Sequence, residues 1–219
     1  MFASRCQLTL HDMLFYATRE MGRLYETGKY LHNYGLTFAL GLAPTRYFQS
    51  NQVPSYAAHL EPLNQRGLYV TPARPLRYDF VFHTFKRASV PYYTYQPQTT
   101  VNVPLYGRAK ELAPESTFEF FVFNAEPVRL PRWIRLGKWM SKAEVEVTWQ
   151  GEPPQKKGVF IANHPLNPLD VPSTLLAFDI ISMPPVSLVN NARLEGTYYE
   201  IENVRLPTGM SYTFSRGDL

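Results

Sequence analysis

The chain has 219 residues, 45% of them hydrophobic, 15% aromatic and 18% charged, with a net charge of +4. That length and apolar content suffice for a sizeable core, as one large domain or a domain with a substantial appendage, and a single cysteine, Cys6, excludes an internal disulfide framework. No apolar run approaches the roughly 20 residues that cross a bilayer, and the start, MFASRCQLTLHD, lacks the charged and apolar regions of a signal peptide, so a cytoplasmic protein without membrane attachment is expected.

Residues 5–10 alternate Cys6, Leu8 and Leu10 against Arg5, Gln7 and Thr9, which predicts a first strand with one buried face. Next comes GRLYETGKYLHNYGLTFALGLAP, in which Leu31, Tyr34, Phe38 and Leu42 recur at the spacing of one helix face until Gly41 and Pro44 stop it. Arg19, Arg23 and Lys29 gather at the entrance of this helix, where a helix N-terminus also favours anions; simple solvation explains them equally well. A short helix is expected over residues 55–60, and strands over 67–71 and 78–85. The segment from Lys86 to Glu115 has two arms rich in β-branched and aromatic residues around Gln96-Pro97-Gln98, so it reads as a protruding β-hairpin. It carries Lys86 and Arg87 at its base, Tyr92, Tyr93 and Tyr95 in one arm, and Arg108 and Lys110 on the return. TFEFFVFN, residues 117–124, is almost continuously apolar and predicts a central strand. Beyond Pro153-Pro154, strands are expected over 158–162, 173–183, 185–189 and 194–201, the last leading into Leu206.

Residues 129–149, RLPRWIRLGKWMSKAEVEVTW, change character halfway. The first part carries Arg129, Arg132, Arg135, Lys138 and Lys142 with no acid among them, interleaved with Trp133 and Trp139. The second part alternates at period two, so a basic, tryptophan-bearing loop runs into a strand. That order suits a polyanion site on a rigid sheet, because cations neutralise phosphates while aromatic faces stack on exposed bases. A solvated basic edge whose tryptophans anchor the core is the plain alternative.

Metal ligands do not cluster: His11, His32, His59, His83 and His164 are scattered, no cysteine pair exists, and neither metal-binding nor phosphate-cradling motifs occur. No cofactor is expected. The one enzyme-like constellation is His32 with Tyr34 and Lys29, a set that suits metal-independent RNA cleavage, although positions 32 and 34 do not share a helix face.

Together, GRLYETGKYLHNYGLTFALGL and RWIRLGKWMSKAEVEV resemble the Cas5 group of CRISPR-associated proteins in its Csc1 form, from the type I-D Cascade effector. The resemblance implies an α+β fold of the RAMP superfamily: a ferredoxin-like, RRM-related domain over residues 1–149, a β-hairpin thumb inserted at about 86–115, and a smaller β-rich part over 150–219. It implies a non-catalytic RNA-binding subunit that caps the five-prime handle of the CRISPR RNA in antiviral defence. It also implies contacts with a Cas7-type backbone subunit, with the large subunit, and with target DNA near the protospacer-adjacent motif. Only Gly137 stands where many relatives have several glycines, which leaves more of the phosphate contact to side chains. An endoribonuclease that processes precursor RNA through a histidine base is the first alternative, and a purely structural adaptor facing an acidic protein is the second.

Overall fold

Strand β1 (Phe2–Leu10) runs through the middle of the largest sheet, and its inward residues Cys6, Leu8 and Leu10 are buried as their alternation requires. The computed structural model describes residues 1–44, 55–86 and 106–214, with Lys86 and Tyr106 described by backbone alone. On one side β1 pairs with β8 (Thr117–Asn124), whose apolar run is buried almost throughout. On the other it pairs with β10 (Ser141–Gly151). Two short strands, β4 (Tyr69–Val70) and β5 (Arg74–Arg77), extend the sheet beyond β8, and β9 (Trp133–Leu136) closes the far edge against β10. Every pairing in this sheet is antiparallel. The β-rich content expected from the sequence is present, but this sheet does not show a ferredoxin-like arrangement.

The expected long helix is a correction. Only α1 (Asn33–Ala39) is helical; Leu31 instead bridges to Ala73, and the residues before it form β2 (Arg19–Met21) and β3 (Leu24–Glu26). Gly22 turns the chain between these two strands at a φ of 61°, a conformation glycine adopts without strain. Arg19 and Arg23 therefore belong to a small hairpin, not to a helix entrance. A second short helix, α2 (Tyr56–Leu60), runs into a 3-10 turn at Glu61–Arg66 that ends on Gly67.

β2 and β3 join β7 (Tyr106–Leu112) and β6 (Phe80–Lys86) in a second sheet, ordered β2-β3-β7-β6. β6 and β7 are antiparallel, with Lys86 opposite Tyr106, so they form the base of the expected thumb. The parallel pairing of β3 with β7 means that this base is not a free-standing hairpin. Arg87, Tyr92, Tyr93 and Tyr95 lie outside the described residues, and so does the side chain of Lys86.

The third sheet contains β11 (Gln155–Ala162), β12 (Leu175–Ile181), β13 (Leu188–Ile201) and β14 (Val204–Pro207), with β13 pairing to the other three. β13 fuses two of the expected strands into one. A continuous buried cluster runs from Leu8, Phe118 and Phe120 to Phe160, Leu194 and Leu206. Two buried carboxylates are well paired. Asp170 accepts from Asn33 Nδ2 at 2.8 Å, Tyr69 Oη at 2.9 Å and the Thr213 amide at 3.1 Å. Buried Glu119 accepts from Arg5 Nε and Arg74 Nε, each at 2.6 Å.

Candidate nucleic-acid interface

β9 and β10 are the two arms of a hairpin whose turn is residues 137–140. Alternation along β9 buries Ile134 and Leu136 and turns Trp133 and Arg135 outward. Register places Lys142 opposite Arg135 and Glu144 opposite Trp133, so these four side chains share the hairpin's outer face. What the sequence presents as a loop is thus an edge strand, and its tryptophans are not core anchors: Trp133 is 43% exposed and Trp139 51%.

Each tryptophan is partly covered by neighbouring side chains, and the Arg132 guanidinium lies 5.8 Å from the Trp133 ring centre. The Lys142 ammonium lies 4.0 Å from the Trp133 ring centre, and His11 meets the same ring edge-on at 5.0 Å. Trp139, in the turn, stacks on Phe15 with centroids 4.5 Å apart. The turn is pinned by the Lys138 amide, which donates to Phe15 O at 2.9 Å. Gly137 is needed here for close packing: at φ 78°, an added Cβ would come within 2.5 Å of Leu14 Cδ1 and 2.9 Å of Phe15 O.

Residues 129–142 contain no acid, but Glu144 on β10 and Asp12 after β1 stand beside them. Arg132 Nε donates to Glu144 Oε1 at 2.8 Å, with His11 on the other carboxylate oxygen at 3.4 Å; these donors lower the pKa of Glu144. Arg135 donates to Met140 O at 3.0 Å and lies 3.7 Å from Asp12. Such exposed pairs are weak, of the order of 0–1 kcal/mol, so both guanidiniums can exchange their partners for phosphate. Lys138, Lys142 and Arg129 make no ion pair among the described residues.

The β6–β7 ladder reaches this hairpin at Trp139. His83 on β6 meets Trp139 edge-on at 6.5 Å, and Glu111 on β7 lies on the same sheet face, 3.7 Å from His83 Nδ1. Sequence reasoning missed Glu111, which is fully buried with neither carboxylate oxygen hydrogen-bonded; burial raises its pKa and His83 opposes the rise. Nothing in its local pattern marks it, because its burial comes from tertiary packing. Arg108, Lys110 and Arg19 point to the opposite face, where Lys110 pairs with Glu26 at 3.4 Å and covers the Phe80 ring at 4.2 Å. The structure therefore joins Arg132, Trp133, Arg135, Lys138, Trp139 and Lys142 into one surface, and separates them from Arg19, Arg23, Arg108 and Lys110.

His32 meets the Tyr34 ring edge-on with centroids 4.5 Å apart, while the Lys29 ammonium lies over the Tyr30 and Tyr78 rings. His32 Nδ1 accepts from the Tyr34 amide at 3.2 Å, capping α1, and its Nε2 lies 3.1 Å from Val186 O. Burial pulls its pKa down to about 4. Among the described residues no three His, Cys, Asp or Glu side chains are grouped to hold a metal ion.

Among solved structures, the chain is similar to one described as a cryo-EM structure of the type III-B Cmr-beta bound to cognate target RNA and AMPPnP. The TM-score is 0.48 at 9% identity, over 87% of this chain and 86% of the other. No curated protein matches. A family model described as type I-D CRISPR-associated protein Cas5/Csc1 matches residues 1–215. The chain belongs to the type I-D Cas5/Csc1 family of CRISPR-associated proteins.

Proposed function

We propose that this subunit binds the CRISPR RNA of a type I-D effector without cleaving it, and that the β9–β10 hairpin holds the five-prime handle. The observation that carries the reading is the pair of tryptophans, each partly covered by neighbouring side chains and about half exposed, set among Arg132, Arg135, Lys138 and Lys142 on one projecting hairpin. Single-stranded RNA offers phosphates at regular intervals and splayed bases between them, and this surface alternates cations with aromatic faces in the same way. Arg129 extends the cationic path along the chain, and Lys86, Arg87, Tyr92, Tyr93 and Tyr95 of the expected thumb add further contacts to the RNA. The RAMP relationship, the contacts with a Cas7-type backbone subunit and the large subunit, and a position near the protospacer-adjacent motif on target DNA complete the proposal.

The test is binding of labelled repeat-derived RNA to the isolated chain and to Trp133→Ala/Trp139→Ala. Loss of roughly 1–3 kcal/mol per stacked base is expected, about 5- to 150-fold for one base. Unaltered affinity refutes the interface. In the same assay the RNA should stay uncut with or without chelator, and His32→Ala should leave precursor processing in a reconstituted system unchanged. Cleavage lost in a folded His32→Ala protein would establish the nuclease reading instead.

A further inference from the structure

β12 is an edge strand with unusual exposure. It pairs only with β13 among the described residues, and Leu176, Phe178 and Ile180, at every second position, are 53%, 44% and 69% exposed. Two register shifts against β13 lift the strand so that residues 176–180 are all exposed. Edges of this kind normally carry lysine or proline as protection. Residues 175–182, LLAFDIIS, carry neither, and their one charge, Asp179, accepts from Asn191 Nδ2 at 2.8 Å. A row of large apolar side chains on a soluble surface marks a place where another molecule sits.

The end of the row says what kind of molecule. Ile180, Ile181, Ser182 and Met183 form one wall of a cleft of about 340 Å³ whose other wall includes Arg19, Lys29 and Tyr30. Neither Arg19 nor Lys29 makes an ion pair among the described residues, and the same holds for Arg193, which stands opposite Ala177 on β13. The large apolar side chains of the row themselves offer nothing to a phosphate backbone. A protein segment whose apolar side chains are followed by a carboxylate satisfies both parts.

We propose that β12 and the Arg19–Lys29 cleft at its end form a docking surface for a segment of another protein subunit that presents apolar side chains beside an Asp or Glu. The proposal rests on the reading of this chain as part of a multisubunit assembly, and it uses a surface distinct from the β9–β10 hairpin. Apolar contact along Leu176, Phe178 and Ile180 provides the affinity, and the cations fix direction and register. Arg19 thereby acquires a role other than the RNA contact its sequence position suggests.

The experiment places a photoreactive benzoylphenylalanine at position 178 in the chain, assembles the complete effector with its RNA, and irradiates it. The expected product is a cross-link to another protein subunit, at a peptide with an acidic residue within a few positions of an apolar one. A cross-link to RNA, a cross-link to a second copy of this chain, or none in a fully assembled complex overturns the proposal. In parallel, Phe178→Asp and Ile180→Asp should keep the melting temperature and RNA affinity of the isolated chain. Both should lower incorporation into the effector roughly tenfold or more, as removal of an interface anchor does; Arg19→Glu should lower it as well. Normal incorporation of all three variants overturns the proposal too. If the RNA reading alone is wrong, the hairpin variants fail to change RNA binding while the β12 variants still lose incorporation.

Discussion

The buried titratable groups set how stability varies with pH. Burial lowers His32 to about 4 and His164 to about 3, so below their unfolded value of 6.5 the unfolded chain takes up two protons that the fold refuses. Burial acts oppositely on Asp170, raising it from 3.8 to about 7 against the hydrogen bonds from Thr213, Asn33 and Tyr69, so between these values the fold holds a proton that the unfolded chain has released. For these three groups the net difference from pH 4 to 6.5 is one proton in favour of the unfolded state, and their contribution to stability should rise with pH by roughly 1.4 kcal/mol per unit. From 6.5 to 7 Asp170 alone of the three acts, and its contribution should fall. Chemical denaturation across this range should therefore show a maximum near pH 6.5, and Asp170→Asn should remove the decline above it. A different residue carries a pure pairing effect: Glu119→Gln leaves Arg5 and Arg74 without their shared carboxylate and should cost about 3 kcal/mol at neutral pH, measured by urea titration.

At the scale of the element, the turn between β9 and β10 depends on Gly137. Gly137→Ala must hold a positive φ and push a methyl against Phe15 O, which should cost about 1–3 kcal/mol and weaken RNA binding by moving Trp139 off Phe15. Preserved stability with preserved binding would show that the turn repacks freely. The strands around this hairpin were legible to different degrees. β1 and β8 carry their own patterns, alternating in one case and uniformly apolar in the other, because burial on one or two faces writes that pattern directly. β9 was hidden because an edge strand with an outward row of Trp and Arg has the composition of a basic loop. The helix reads too long from the sequence because Leu31 and Leu42 continue the spacing of Tyr34 and Phe38 beyond the ends of α1; a bridge to Ala73 claims Leu31 and Gly41 ends the run. The cations and tryptophans of the site were visible in one stretch of sequence. Their partners Asp12, His11 and Phe15 were not, since they come from the other end of the chain.

At the scale of the whole molecule, three sheets share one buried cluster and divide the surface between them: the first sheet ends in the basic aromatic hairpin, the second carries the β6–β7 ladder beside it, and the third exposes the apolar strand β12. Replacing residues 91–104 by a Gly-Ser turn should leave the β6–β7 ladder and the core intact, since β3 and the bridge from Leu14 to Leu112 hold β7 from the other side. The shortened protein should melt normally yet bind the RNA handle less tightly; equal affinity would make the thumb dispensable. The central claim is that the β9–β10 hairpin meets RNA through its phosphates, and the salt dependence of binding tests it most directly. Each phosphate neutralised on a single strand contributes roughly 0.7 to the slope of log affinity against log salt. Arg132→Ala/Arg135→Ala should therefore flatten the slope by about 1.4 relative to the unaltered chain, whereas an identical slope in a folded double variant would contradict the account.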